Sequence, residues 1–173
     1  MNEVASIWTT KEIITAVIAT GIVSAVASWV VDLIKSWYGR KKAAQYGAMR
    51  SAVALERYAV SCWHIFIMGE GEFERHRDVT SVRLPPAPDL PADVDWKAID
   101  ASLADDILSF SNSSNVSEAL AEFSEVWEQN PFDFHDAAKE RGLEALKLAG
   151  RIRKHYRMKS HNDFDRLWKD FRK

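Results

Sequence analysis

Residues 13–31 form a run of nineteen without a charge, IITAVIATGIVSAVASWVV, and the apolar character resumes after Asp32 with Leu33 and Ile34. As a helix, the twenty-two residues 13–34 measure about 33 Å, enough to cross a hydrocarbon core of about 30 Å. Only a helix satisfies its own backbone groups where no water reaches them. Trp29, Trp37 and Tyr38 stand near the end of the run, where amphipathic rings favour the headgroup level. Arg40, Lys41 and Lys42 follow, whereas the amino-terminal flank holds only Glu3, Lys11 and Glu12. The positive-inside rule then leaves residues 1–12 outside and places residues 43–173 on the cytoplasmic side of the membrane. Asp32 falls at the inner interface, within reach of Lys35 or Ser36. A cleaved signal peptide is the rival reading, since Ala25-Val26-Ala27 resembles a cleavage site. The flank lacks positive charge and the apolar run continues past Ala27, which favours a retained anchor. Within it, Ala16, Thr20, Ser24 and Ser28 recur every fourth residue beside Gly21 and Ala25. Such a face lets two helices approach closely, although small residues are common in any membrane helix.

Beyond the anchor the apolar period is that of helices. Ala48, Ala52, Leu55, Ala59, Cys62 and Phe66 define a stripe over residues 43–68, with Arg50, Arg57, Ser61 and His64 opposite. Residues 69–93 hold four of the five prolines and predict a loop, because proline removes a donor and restricts its predecessor. A short strand over 79–84 has no evident partner. Helix returns near Asp95, with Asp93 or Asp95 as cap and Trp96, Ile99, Leu103, Ile107 and Phe110 as the buried stripe. SNSSN at 111–115 predicts a turn, and Asn115 with Glu118 a capping box for a further helix burying Val116, Leu120, Phe123 and Trp127. Asp133 opens a helix to about Met158 that buries Ala138, Gly142, Ala145, Leu146, Ala149, Ile152 and Tyr156. A short helix over 162–171 places Phe164, Leu167, Trp168 and Phe171 on one side. The expected fold is all-α, a single transmembrane helix continuing into a small cytosolic helical bundle.

Charge sharpens this picture. Residues 69–136 hold sixteen acidic and four basic residues, and residues 137–173 twelve basic and five acidic, in a chain of net charge −2. That balance argues against a general nucleic-acid binder. The basic excess gathers at Lys147, Arg151, Arg153, Lys154, Arg157 and Lys159, with no acidic residue between them. These six could meet an anionic leaflet at about 1 kcal/mol per cation, pair with the acidic segment, contact nucleic acid, or form a solvated helix face.

Candidate chemistry is sparse. The single cysteine excludes a disulfide framework and a cysteine-based zinc site. Cys62 and His64 point about 200° apart on a helix and cannot act as a dyad. The five histidines form neither H-x-x-x-H nor E-x-x-H, so a di-iron bundle is not expected. Gly69-x-Gly71 lacks the rest of a phosphate cradle. Asp105 and Asp106 splay apart on one helix, and Glu122, Glu125 and Glu128 drift round another. No enzyme activity, cofactor or metal is expected.

Three stretches, LERYAVSCW at 55–63, LPADVDWKAID at 90–100 with ILSF at 107–110, and ERGLEALKLAGRIRKHY at 140–156, together resemble an uncharacterised family of bacterial helical, membrane-anchored proteins. The resemblance implies a helical bacterial protein and brings no activity, cofactor or partner. The functional expectation is an interaction or scaffolding module held at the membrane, with a protein partner or a second copy. A membrane-perturbing effector acting through oligomerised anchors, and an exported soluble helical protein, are the alternatives.

Overall fold

The computed structural model describes residues 10–76, 83–127, 133–159 and 162–172, with side chains over 26–68 and, except at 125, 133, 162 and 163, in the three later segments. Four helices follow in order: α1 (Thr10–His76), α2 (Ala101–Trp127), α3 (Asp133–His155) and α4 (Asn162–Asp170). Among the described residues there is no strand. The chain divides into two compact units, residues 1–42 and residues 43–173.

In the first unit α1 is helical from residue 10. Among the described residues no helix is long and apolar enough to cross a membrane. Of the expected span, residues 13–25 have side chains outside those described.

The second unit is the helical bundle. Its portion of α1 buries the expected stripe: Ala48, Ala52, Leu55, Ala59 and Cys62 are fully enclosed, and Phe66 nearly so. α1 continues through Gly69 and Gly71 to His76, so the loop expected at 69 begins later. An interior glycine costs about 1 kcal/mol in a helix, whereas a proline costs about three times as much. The prolines begin only at Pro85. The strand expected at 79–84 falls mostly outside the described residues, and residues 83–90 are irregular.

That irregular segment lies along α1. Leu84 and Ile99 are buried in the common core, and Leu90, Val94 and Trp96 pack against it. A Cβ on Gly47 would stand 2.8 Å from a Val94 methyl, so the small residue permits close approach of the segment to α1. Asp93 pairs with Arg50 at 2.6 Å. The Asp95 side chain accepts the Lys97 N–H at 3.2 Å in a local turn. Both aspartates are therefore engaged elsewhere, and the cap of α2 is Asp100, whose carboxylate accepts the Leu103 N–H at 3.2 Å. The Asp100 N–H in turn donates to the Tyr156 hydroxyl at 3.1 Å.

The expected turn at 111–115 is absent, and α2 is one helix of 27 residues. The serine hydroxyls bond back within the helix instead of breaking it. Ser113 and Ser114 donate to the Phe110 carbonyl at 2.9 and 3.0 Å, and Ser117 to the Ser113 carbonyl at 3.0 Å. Arg141 of α3 adds a 2.9 Å bond to Ser113. With the helix unbroken, its phase carries straight through. Leu103, Ile107, Phe110 and then Ala121 face the core, while Val116, Leu120, Phe123 and Trp127, expected to be buried, are exposed.

α3 buries the expected face, with Ala138, Ala145, Ala149 and Ile152 almost completely enclosed. Gly142 forms a notch: a Cβ there would collide with the Phe171 ring and come within 3.0 Å of Cys62. Phe171, just beyond α4, fills that notch and is itself fully buried. α3 ends three residues before the expected Met158. Arg157 adopts a positive φ of 53°, and the Met158 N–H bonds to the Arg153 carbonyl at 2.8 Å. This is a Schellman stop with arginine where glycine is usual.

Candidate interaction surfaces

The expected membrane-interface residues all lie on the first unit and are all exposed: Trp29, Trp37, Tyr38, Arg40, Lys41 and Lys42. Trp37 and Tyr38 meet edge to face at 5.5 Å, and the Lys41 ammonium sits 5.3 Å from the Trp37 ring. Val26, Val30, Val31, Leu33 and Ile34 are exposed on the same stretch. At 100° per residue the large apolar side chains cover more than half of the helix circumference, and Ser28, Asp32 and Lys35 occupy the remainder. Of the expected helix-association face, Ser28 is exposed, and Ala16, Thr20, Gly21, Ser24 and Ala25 lie outside the described side chains.

The six basic residues near the end of α3 do not form one surface. Arg153 is buried, 8% exposed, and grips Glu56 of α1 through two bonds of 2.5 and 2.7 Å. Its remaining nitrogen donates to the Lys159 carbonyl at 2.9 Å. The Glu56 carboxylate holds the Arg153 pKa above its ordinary value, against the opposing effect of burial. A buried charge of this kind persists only when paired, because desolvating it alone costs several kcal/mol. Arg151 is exposed and ion-paired with Asp106 of α2. Lys147, Lys154, Arg157 and Lys159 are exposed, with the Lys147 ammonium 5.9 Å from the Trp168 ring and Arg172 on the same ring at 5.8 Å. The sequence did hold a signal for Arg153. Leu146, Ala149 and Arg153 follow a 3-4 spacing, which puts the arginine on the edge of the buried stripe, and Glu56 stands likewise between Ala52 and Ala59.

Between α2 and α3 runs a groove of about 300 Å³ lined by Asp106, Ser109, Ser113, Glu144, Lys147 and Arg151. Both of its carboxylates are paired: Asp106 holds Arg151, and Glu144 holds Arg141 at 2.9 Å. Behind it lies a small buried polar group. The Tyr58 hydroxyl stands beside Cys62 and Ser114 without reaching hydrogen-bond geometry. Burial pushes the Cys62 thiol up to about 12, only partly offset by Tyr58 and Arg141. A thiol held this high is a core residue rather than a nucleophile. His135 is buried with neither ring nitrogen hydrogen-bonded. Among the described residues no three His, Cys, Asp or Glu side chains group as a metal site.

The surface that sequence reasoning missed is the second half of α2. Val116, Leu120, Phe123, Val126 and Trp127 are all more than half exposed, with Trp127 at 73%. The Phe123 and Trp127 rings lie 6.2 Å apart, tilted by 33°. Reading 111–115 as a turn hid this, because a break there would have reset the helical phase.

The three stretches that carry the family resemblance converge in the bundle: Glu56 meets Arg153, Cys62 meets Gly142, and Asp100 meets Tyr156. No protein-family model, no curated protein and no solved structure matches this chain.

Proposed function

We propose that the chain is a single-pass inner-membrane protein whose cytosolic helical bundle works by binding, as an interaction or scaffolding module. The observation that carries this reading is the apolar arc of α1 from Val26 to Tyr38. Eight large side chains there, Val26, Trp29, Val30, Val31, Leu33, Ile34, Trp37 and Tyr38, are exposed together. A helix with so wide an apolar face needs an apolar medium around it. Moving an exposed Val, Leu or Ile side chain out of water is worth about 1.5–3 kcal/mol. The uncharged residues 13–25 extend the segment to membrane length. The tryptophans and Tyr38, followed by Arg40, Lys41 and Lys42, supply an aromatic and basic border of the kind found at the inner interface.

The bundle's outward features are binding features. The exposed cations at the end of α3 offer an electrostatic contact to the anionic leaflet or to an acidic protein. Topology tests the reading. A tag following residue 173 should be protected from protease in intact spheroplasts and digested after permeabilisation. Digestion in intact spheroplasts, or release of a shortened soluble chain, would replace the anchor with export.

A further inference from the structure

The exposed apolar side chains of α2 are spaced as a helix-pairing seam. Val116, Leu120, Phe123 and Trp127 follow a 4-3-4 spacing, the 3.5-residue period of coiled coils. At 100° per residue the seam centres about 150° away from Ile107, Ser114 and Ala121, which face the core. Val126 widens it. These five side chains, 56–73% exposed, leave roughly 600 Å² of apolar surface, at the upper end of what a soluble monomer shows.

The seam's own sequence argues for what covers it. A 3.5-residue period fits another helix crossing at a shallow angle. The flanking positions Ser117, Ala119 and Ser124 are uncharged, so no steering charge borders the seam on α2 itself. Side-chain size is graded from small at Val116 to large at Trp127. A second seam running antiparallel would set Val116 against Trp127 and Leu120 against Phe123, a smaller residue facing a larger one at each level. That is how facing layers fill space evenly. A parallel copy would crowd Trp127 on Trp127 and leave a gap between the two Val116 side chains.

We propose that two copies of this chain associate through the second halves of their α2 helices, packed antiparallel about a two-fold axis between Leu120 and Phe123. Such an interface is self-complementary, as two-fold symmetry requires. Two faces of roughly 600 Å² together bury about 1,200 Å², the lower bound for a specific interface. Beside the seam, Asp136 and Glu140 of α3 border the groove next to Leu120. The rims of two copies are therefore alike in sign, and added salt should tighten the pair. The proposal is independent of the membrane reading, since every residue it uses lies in the bundle.

The test is disulfide trapping in the full chain, purified in detergent micelles, with Val116→Cys and Trp127→Cys prepared separately. The native Cys62 is fully buried and stays out of the reaction. On mild oxidation the mixture of the two variants should give a crosslinked dimer at least tenfold in excess of either variant alone. Crosslinking of each variant with itself, as efficient as in the mixture, would overturn the antiparallel arrangement. No crosslinking in any sample at tens of micromolar protein would overturn the pairing itself. Leu120→Glu, at an exposed position that the fold tolerates, should weaken association at least tenfold; unchanged association would remove the seam from the interface. Association that weakens between 50 and 500 mM salt would also overturn the proposal and point to a basic helix as the occupant.

Discussion

The two halves of α2 share a composition and an amphipathic pattern and meet opposite fates. In the first half Leu103, Ile107 and Phe110 are buried against α1 and α3, while in the second Leu120, Phe123 and Trp127 face outward. The difference lies in phase, not in hydrophobicity. Leu103, Ile107 and Phe110 fall within about 40° of the core direction, with Leu108 alone of the first half's large apolar residues turned outward, whereas each of the second half falls on the other side. Only Ala121 keeps the first half's phase beyond the serines. The pair of halves teaches that an apolar stripe reports a partner without saying whether that partner is in the same chain.

Stability should separate the halves most sharply. Ile107→Ala opens a cavity at a fully buried site and should cost about 2–5 kcal/mol. Leu120→Ala should change the stability of the dissociated chain by no more than about 0.5 kcal/mol. Urea unfolding of both variants at low protein concentration measures this, and equal costs would erase the distinction.

A second contrast concerns what the first half seals. Phe110 meets Tyr58 edge to face at 5.6 Å, and the Tyr58 hydroxyl stands beside Cys62. The Cys62 thiol is raised from 9.0 to about 12. Its folded state therefore holds the proton more tightly than the unfolded chain. The associated stability is complete below about pH 9 and falls as pH rises from there towards 12. In thermal unfolding Cys62→Ala should remove the part of this decline that begins near pH 9 and leave the part that the buried Tyr58 hydroxyl, also raised, contributes above pH 10, whereas Leu120→Ala should leave both intact.

The junction of the halves should show a smaller effect. Ser114→Ala removes the bond to the Phe110 carbonyl at a buried position and should cost about 1 kcal/mol, read by the same urea unfolding. Helicity should be preserved, because alanine is the better helix former. A loss of helical signal in circular dichroism would mean that the serines hold the halves together. The smallest change belongs to the second half's exposed ion pair. Arg83 and Glu122 stand 3.2 Å apart and largely in water, so Arg83→Ala should cost no more than about 0.5 kcal/mol in urea unfolding.

Much of the bundle was legible in the sequence, and the reason is periodicity. The α1 stripe from Ala48 to Phe66 and the α3 stripe from Ala138 to Ile152 repeat without interruption, so helical phase alone identifies the buried face. What escaped were choices between local and distant partners. Asp93 has the chemistry of a helix cap, yet it pairs with an arginine 43 residues earlier. The serines at 113 and 114 have the chemistry of a turn, yet their hydroxyls find acceptors one turn back. Arg153 has the chemistry of a surface cation, yet Glu56, 97 residues away, accepts it in the interior. In each case composition announces a polar group in need of a partner, and only tertiary structure says which partner it takes.

The notch at Gly142 gives the bundle a built-in clock. Phe171 and Cys62 both border this notch and both are fully buried, and the helix leading to Phe171, α4, is only 9 residues long. Short elements resting on few contacts open more often than the whole domain unfolds. Departure of Phe171 would loosen the packing around the single thiol, so a small electrophile can label Cys62 in the native protein only through such openings. Where closing outpaces labelling, the ratio of the native labelling rate to the rate in the unfolded chain gives the free energy of the local opening, read at one native atom.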